Sequence, residues 1–103
     1  GYQALADGTN IDWDVEAFPV ADITLGGDRT MNAPTGAREG GIYVLLIRQD
    51  GTGSRTLSWT ASAYDFGDAG EPALSTAADA FDIASFIYRG GKLRMAGLQK
   101  GYS

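Results

Sequence analysis

Ile42-Tyr43-Val44-Leu45-Leu46-Ile47 is the longest apolar run in the chain. Its β-branched and aromatic content selects a strand. An unbroken run, without apolar–polar alternation, suits a strand covered on both faces by a second sheet or by a neighbouring subunit. Asp50-Gly51-Thr52-Gly53 follows, residues that tolerate positive φ and turn the chain. Beyond it, Arg55, Leu57 and Trp59 share one strand face while Ser54, Thr56 and Ser58 share the other. The pattern predicts a β-hairpin over residues 41–59, with one buried arm and one half-wet arm. A small domain has reason to bury such a run between copies, so Ile42, Val44 and Leu46 are expected subunit contacts.

The 103 residues make one domain with a single core. Fifteen glycines point to many tight turns between short strands. The net charge of -5 repels phosphate backbones, and the eight basic residues are scattered, so nucleic-acid binding is not expected. Without cysteine there is no disulfide framework or thiolate chemistry. Without histidine, the commonest general base and metal ligand and every His-containing triad are missing. No apolar run reaches the roughly 18–20 residues of a membrane span, and no basic-then-apolar signal segment opens the chain. Gly1 fits either the residue left by initiator Met removal or a boundary, and Leu5 breaks the myristoylation pattern.

In chain order, residues 1–10 read as an extended N-terminal arm ending in the turn signal Asp7-Gly8-Thr9-Asn10. Residues 11–15 alternate, with Ile11, Trp13 and Val15 inward and Asp12 and Asp14 outward. Val20–Leu25 is a second strand with Ala21, Ile23 and Leu25 inward, and residues 29–33 a short third one. A short strand is expected over residues 63–66, then loop through Pro72 and a turn-like stretch over residues 74–79. Residues 80–88 fit both a helical stripe and two strand faces; Phe86-Ile87-Tyr88 and the Gly90-Gly91 turn favour a hairpin into residues 93–96. Residues 97–103 read as a C-terminal arm. These elements predict an all-β fold, an antiparallel β-sandwich or jelly roll over residues 11–96, working as an oligomer.

The segment Gln49-Asp50-Gly51-Thr52-Gly53-Ser54-Arg55-Thr56-Leu57-Ser58-Trp59 resembles a small β module of tailed-phage virion proteins and phage-like gene transfer agents. Ile23-Thr24-Leu25, Arg29-Thr30-Met31, Gly41-Ile42-Tyr43, Glu71-Pro72-Ala73-Leu74-Ser75, Asp82-Ile83 and Ile87-Tyr88 extend the likeness over residues 11–96. The resemblance implies a β-sandwich that works as an oligomer in a particle, without a catalytic activity or a cofactor. The expected role is a structural virion protein on the head surface, a spike base or decoration subunit acting by protein–protein binding. Its expected partners are further copies in a pentamer or trimer, and the major capsid protein or a distal spike or fibre protein. The alternative is a receptor-binding module of a tail fibre or spike that recognises host glycan.

Other residues carry competing readings. Asp12 and Asp14, about 7 Å apart on one strand face, fit the start of a cation site or an acid–base pair, and equally a solvated face. The oxygen- and glycine-rich residues 50–54 match neither a calcium loop nor a phosphate loop, and turn geometry accounts for them. Trp13, Trp59, Tyr43, Tyr64 and Tyr88 suit sugar stacking or core packing; Trp13 and Trp59 share faces with Ile11, Val15 and Leu57, which favours the core. Tyr2 and Tyr102, one in each terminal arm, suit docking onto another subunit, and equally a disordered terminus. No residue is assigned to catalysis or to a metal.

Overall fold

The computed structural model describes residues 2–103, apart from the side chain of Tyr2. The chain is all-β, with one short 3-10 turn at Gly67–Ala69 and no α-helix among the described residues. The strands are β1 (Tyr2–Ala4), β2 (Asn10–Ile11), β3 (Val20–Leu25), β4 (Arg29–Met31), β5 (Ile42–Gln49), β6 (Leu57–Trp59), β7 (Tyr64–Asp65), β8 (Phe81–Arg89) and β9 (Lys92–Tyr102). They form a long sheet of order β1-β3-β5-β8-β9-β7 and a short sheet of order β2-β4-β6.

Strand orientation is mixed. β1, β3 and β5 are parallel, as are β2, β4 and β6. The expected antiparallel pairing holds only for β5–β8 and β8–β9, since β7 joins β9 in parallel. The first sixty residues therefore wind as three coils, each giving one strand to each sheet. Side chains lash one coil to the next: Asp7 takes two bonds from Arg29 at 2.8 and 2.9 Å, Asp12 accepts from Asn32 at 2.9 Å, and Glu16 accepts from Arg38 at 2.8 Å. Asp28 in turn accepts from the Thr56 amide at 2.9 Å.

The expected β5–β6 hairpin does not form. The turn at Asp50 carries the chain across to the other sheet, and β5 pairs with β3 and β8 instead. Within one chain β5 is covered on one face only. Tyr43, Leu45, Ile47 and Gln49 are buried, but on the other side Val44, Leu46 and Arg48 are half-buried and Ile42 is exposed.

The core is one cluster that draws on both sheets. It holds Ala21, Ile23 and Leu25 of β3, inward as expected, with Ile11, Met31, Leu57 and Trp59 from the short sheet and Ala84, Phe86 and Leu93 from the hairpin. Phe86 stands edge-on to Trp13 at 6.3 Å and meets Trp59 at 5.8 Å. Residues 11–15 keep the expected alternation, although only Asn10–Ile11 is paired as strand, with a parallel bridge from Asp14 to Thr35.

β8 and β9 form the expected hairpin on Gly90-Gly91, whose φ values of 61° and 82° are easiest for glycine. The C-terminal arm expected from residue 97 onward is instead strand: β9 runs unbroken to Tyr102, because its residues pair with β8 along their length. At the other terminus Tyr2–Ala4 is extended, as expected, and pairs with β3. Gly1 lies outside the described residues.

Candidate functional site

The outward side of the long sheet is apolar at its centre. Cross-strand register sets Ile42 beside Ile87, Leu46 beside Ile83 and Val44 beside Val20 on one face. Ile42 is 66% exposed, Ile87 42% and Val20 38%. At one end of this face Arg48 lies over the Phe81 ring, 4.6 Å from its centroid, and Phe81 stacks on Tyr102 at 5.1 Å. Between β8 and β9 a shallow depression of about 210 Å³ is lined by Ile83, Ser85, Gly97, Leu98, Gln99 and Tyr102.

Ile42, Val44 and Leu46, expected as contacts, thus share one face, and Tyr102 lies on the same sheet side beside Phe81. Tyr2 registers with Val20 along the edge strand, while its side chain lies outside the described residues. Sequence reasoning missed Val20, Ile83 and Ile87 as parts of this face. The outward position of Val20 was implicit in the β3 alternation, but no local signal sets β8 beside β5.

The sequence segment most specific in its resemblance builds a clasp. Gln49, buried at the end of β5, donates from Nε2 to the carbonyls of Arg55 and Ser75, both at 2.9 Å, and accepts from the Arg55 amide at 2.9 Å. Asp50 accepts from the amides of Thr52 and Gly53, each at 3.0 Å, and from the Arg55 guanidinium at 3.0 and 3.3 Å. The Arg55 contact, reinforced by those amides, holds the Asp50 carboxyl down at about 2. Gly53, at φ 76°, passes so close to the 71–80 loop that a Cβ would meet the Thr76 carbonyl at 2.6 Å. Buried Asp82 completes the clasp, accepting from the amides of Ser75 at 2.8 Å and Gly101 at 3.0 Å. Beside it a groove of about 230 Å³ runs between Arg55, Leu57, Pro72 and Leu74.

The remaining candidates take structural roles. Asp12 bonds Asn32, and Asp14 accepts from the amides of Glu16 and Ala17, so the two carboxylates serve different neighbours. Among the described residues no group of three or more Asp or Glu is gathered for a metal. Trp13, Trp59, Tyr43 and Tyr64 are buried in the core, while Tyr88 packs against it half-buried. The Trp13 indole donates to the Phe18 carbonyl at 2.8 Å and the Tyr64 hydroxyl to the Asn32 carbonyl at 2.9 Å. Burial pushes the Tyr64 hydroxyl pKa well above the ordinary tyrosine value, so it stays protonated.

No helix among the described residues is long and apolar enough to cross a membrane. Comparison with curated proteins returns no match, and neither does comparison with solved structures. A family model described as "Putative phage tail fibre C-terminal domain" matches residues 7–92, from the first inter-coil ion pair to the first residue of β9. The match spans most of the chain, so the protein belongs to this family and is a structural module of a phage virion.

Proposed function

We propose that this chain is a distal module of a phage tail fibre that acts by protein–protein binding, through the outward face of the long sheet. The observation that carries the proposal is that face: Val20, Ile42, Val44, Leu46, Ile83 and Ile87 together on one side of a sheet whose other side is the core. A contiguous apolar surface on a small soluble domain is a mark of an interaction site. The family match favours the fibre over the head-surface spike base or decoration subunit expected from the sequence, for which the resemblance alone speaks. The proposal assigns no catalysis. The chain has neither His nor Cys, and Asp7, Glu16, Asp50 and Asp65 are held in ion pairs. Host-glycan recognition draws no support from Trp13, Trp59, Tyr43 or Tyr64, whose rings are used by the core.

Antibodies raised against the chain and gold-labelled on intact particles test the placement. Label at the tips of the tail fibres is the expected result. Label confined to the head surface would move the module there, and unlabelled particles would end the virion-fibre reading.

A further inference from the structure

We infer that the outward face of the long sheet is an interface between copies of this chain, with Ile42 of one copy seated in the depression over Ser85 and Gly97 of another. The inference rests on the reading above that this face docks protein, and it names the partner.

The face carries both halves of such a contact. Ile42 is the most exposed large apolar side chain among the described residues, at 66%. The depression is formed because two small residues, Ser85 and Gly97, register side by side between the larger Ile83, Leu98 and Tyr102. A register shift next to Ser85 marks a bulge in the β8–β9 ladder, the place where a strand glycine gives a neighbouring chain room to approach. At about 210 Å³ and open to one side, the depression can take the tip of a branched aliphatic side chain from a neighbouring surface.

Position allows the contact to be reciprocal. Ile42 pairs with Ile87, and Ser85 lies two residues along β8, so projection and depression are about 10 Å apart on one surface. A two-fold axis midway between them brings each Ile42 onto the other copy's depression at once. A closed ring, in which each copy's Ile42 enters the next copy's depression, satisfies the same pairing.

Charge and area favour a second copy as the occupant. A chain of net charge -5 repels itself over most of its surface. Of its thirteen Asp and Glu, the outward positions of β3, β5 and β8 carry only Asp22, so this is where two copies meet with least repulsion. Its six strands, from 2 to 11 residues long and about 4.8 Å apart, offer on the order of 600 Å². That reaches the lower end of the ~600–1,000 Å² per partner of a specific interface.

Sedimentation velocity of the purified chain at about 100 µM is the test, a concentration at which micromolar affinity fills the interface. The wild type is expected to sediment as a multimer, and Ile42→Lys at the 10.8 kDa of one chain, with the thermal midpoint of wild type diluted until it too is monomeric, because Ile42 is exposed within one chain. Adding Gln99→Glu to Ile42→Lys is expected to restore the multimer. Within one chain these positions lie on β5 and β9 with β8 between them, so the rescue requires contact between copies. A monomeric wild type, a multimeric Ile42→Lys or a double variant without rescue each overturns the inference. A monomeric wild type that still labels fibre tips leaves the fibre reading standing, with a different protein on this face.

Discussion

Asp50 shows how a motif can be specific without being catalytic. Its carboxylate gathers two amides and the Arg55 guanidinium, and the same turn lets Gly53 pass against Thr76 where no side chain fits. Conspicuous residue types in this segment therefore mark a difficult piece of backbone. Because binding depresses the folded pKa of Asp50 from 3.8 to about 2, its stabilisation is fully present above the unfolded value. It is lost as pH falls from 3.8 towards 2. Thermal melts of wild type and Asp50→Asn over this range check the sign. The wild type's advantage should be constant near neutrality, shrink below pH 3.8 and vanish near pH 2. An advantage that grows on acidification would show that Arg55 is not its source. Residue-level reading served well where a side chain answers to its own strand, as with Ala21, Ile23 and Leu25. It served less well for Gln49 and Asp82, whose burial depends on partners in a loop remote from Gln49 and at the far terminus for Asp82.

At the scale of elements, what the sequence hides is the pairing. Alternation in β3 and the two glycines between β8 and β9 are local signals, and the structure follows both. The Asp50 turn is a local signal too, but the same residues suit a chain that doubles back and one that crosses to another sheet. Parallel neighbours such as Tyr2 and Val20, or Arg29 and Leu57, are separated by a whole coil and leave no mark in either strand. The outward face was legible only in part for this reason: the β5 run predicted Ile42, Val44 and Leu46, while Ile83 and Ile87 needed the β5–β8 register. The same dependence makes β9 a strand to its end, since Asp82 ties the Gly101 amide. Asp82→Ala removes the acceptor of two amides at once; Ser75 is half-buried and Gly101 exposed, so water replaces part of it and each lost bond costs about 0.5–1.5 kcal/mol. Hydrogen exchange should then quicken most at Ser75 and Gly101, beyond the loss of global stability that the β3–β5 amides report. Uniform acceleration across all strands would instead make Asp82 a residue of the global fold.

For the whole molecule the question is whether coils that stack in sequence also unfold in sequence. Proteins built of stacked units lose cooperativity when each unit touches only its neighbours. Here the antiparallel hairpin breaks that condition. Phe86 of β8 reaches Trp13, between β2 and β3, and Trp59 in the third coil, while Tyr64 and Phe66 pack edge-on against both Trp59 and Phe86. One aromatic cluster thus spans the first coil, the third coil and the capping hairpin, and opening any of them exposes rings belonging to the others. The chain should therefore unfold as a single unit, as small domains usually do. Its two tryptophans, 1% and 5% exposed, are natural reporters at separate places in the core. Single-tryptophan variants Trp13→Phe and Trp59→Phe, unfolded in urea, should each give a fluorescence transition that coincides with its own far-UV circular dichroism transition. Both are expected to be destabilised by about 1–3 kcal/mol, so the comparison is made within each variant and never between them. A fluorescence midpoint that parts from the circular dichroism midpoint in either variant would mean that the coil holding the remaining tryptophan opens independently, and that Phe86 does not couple them.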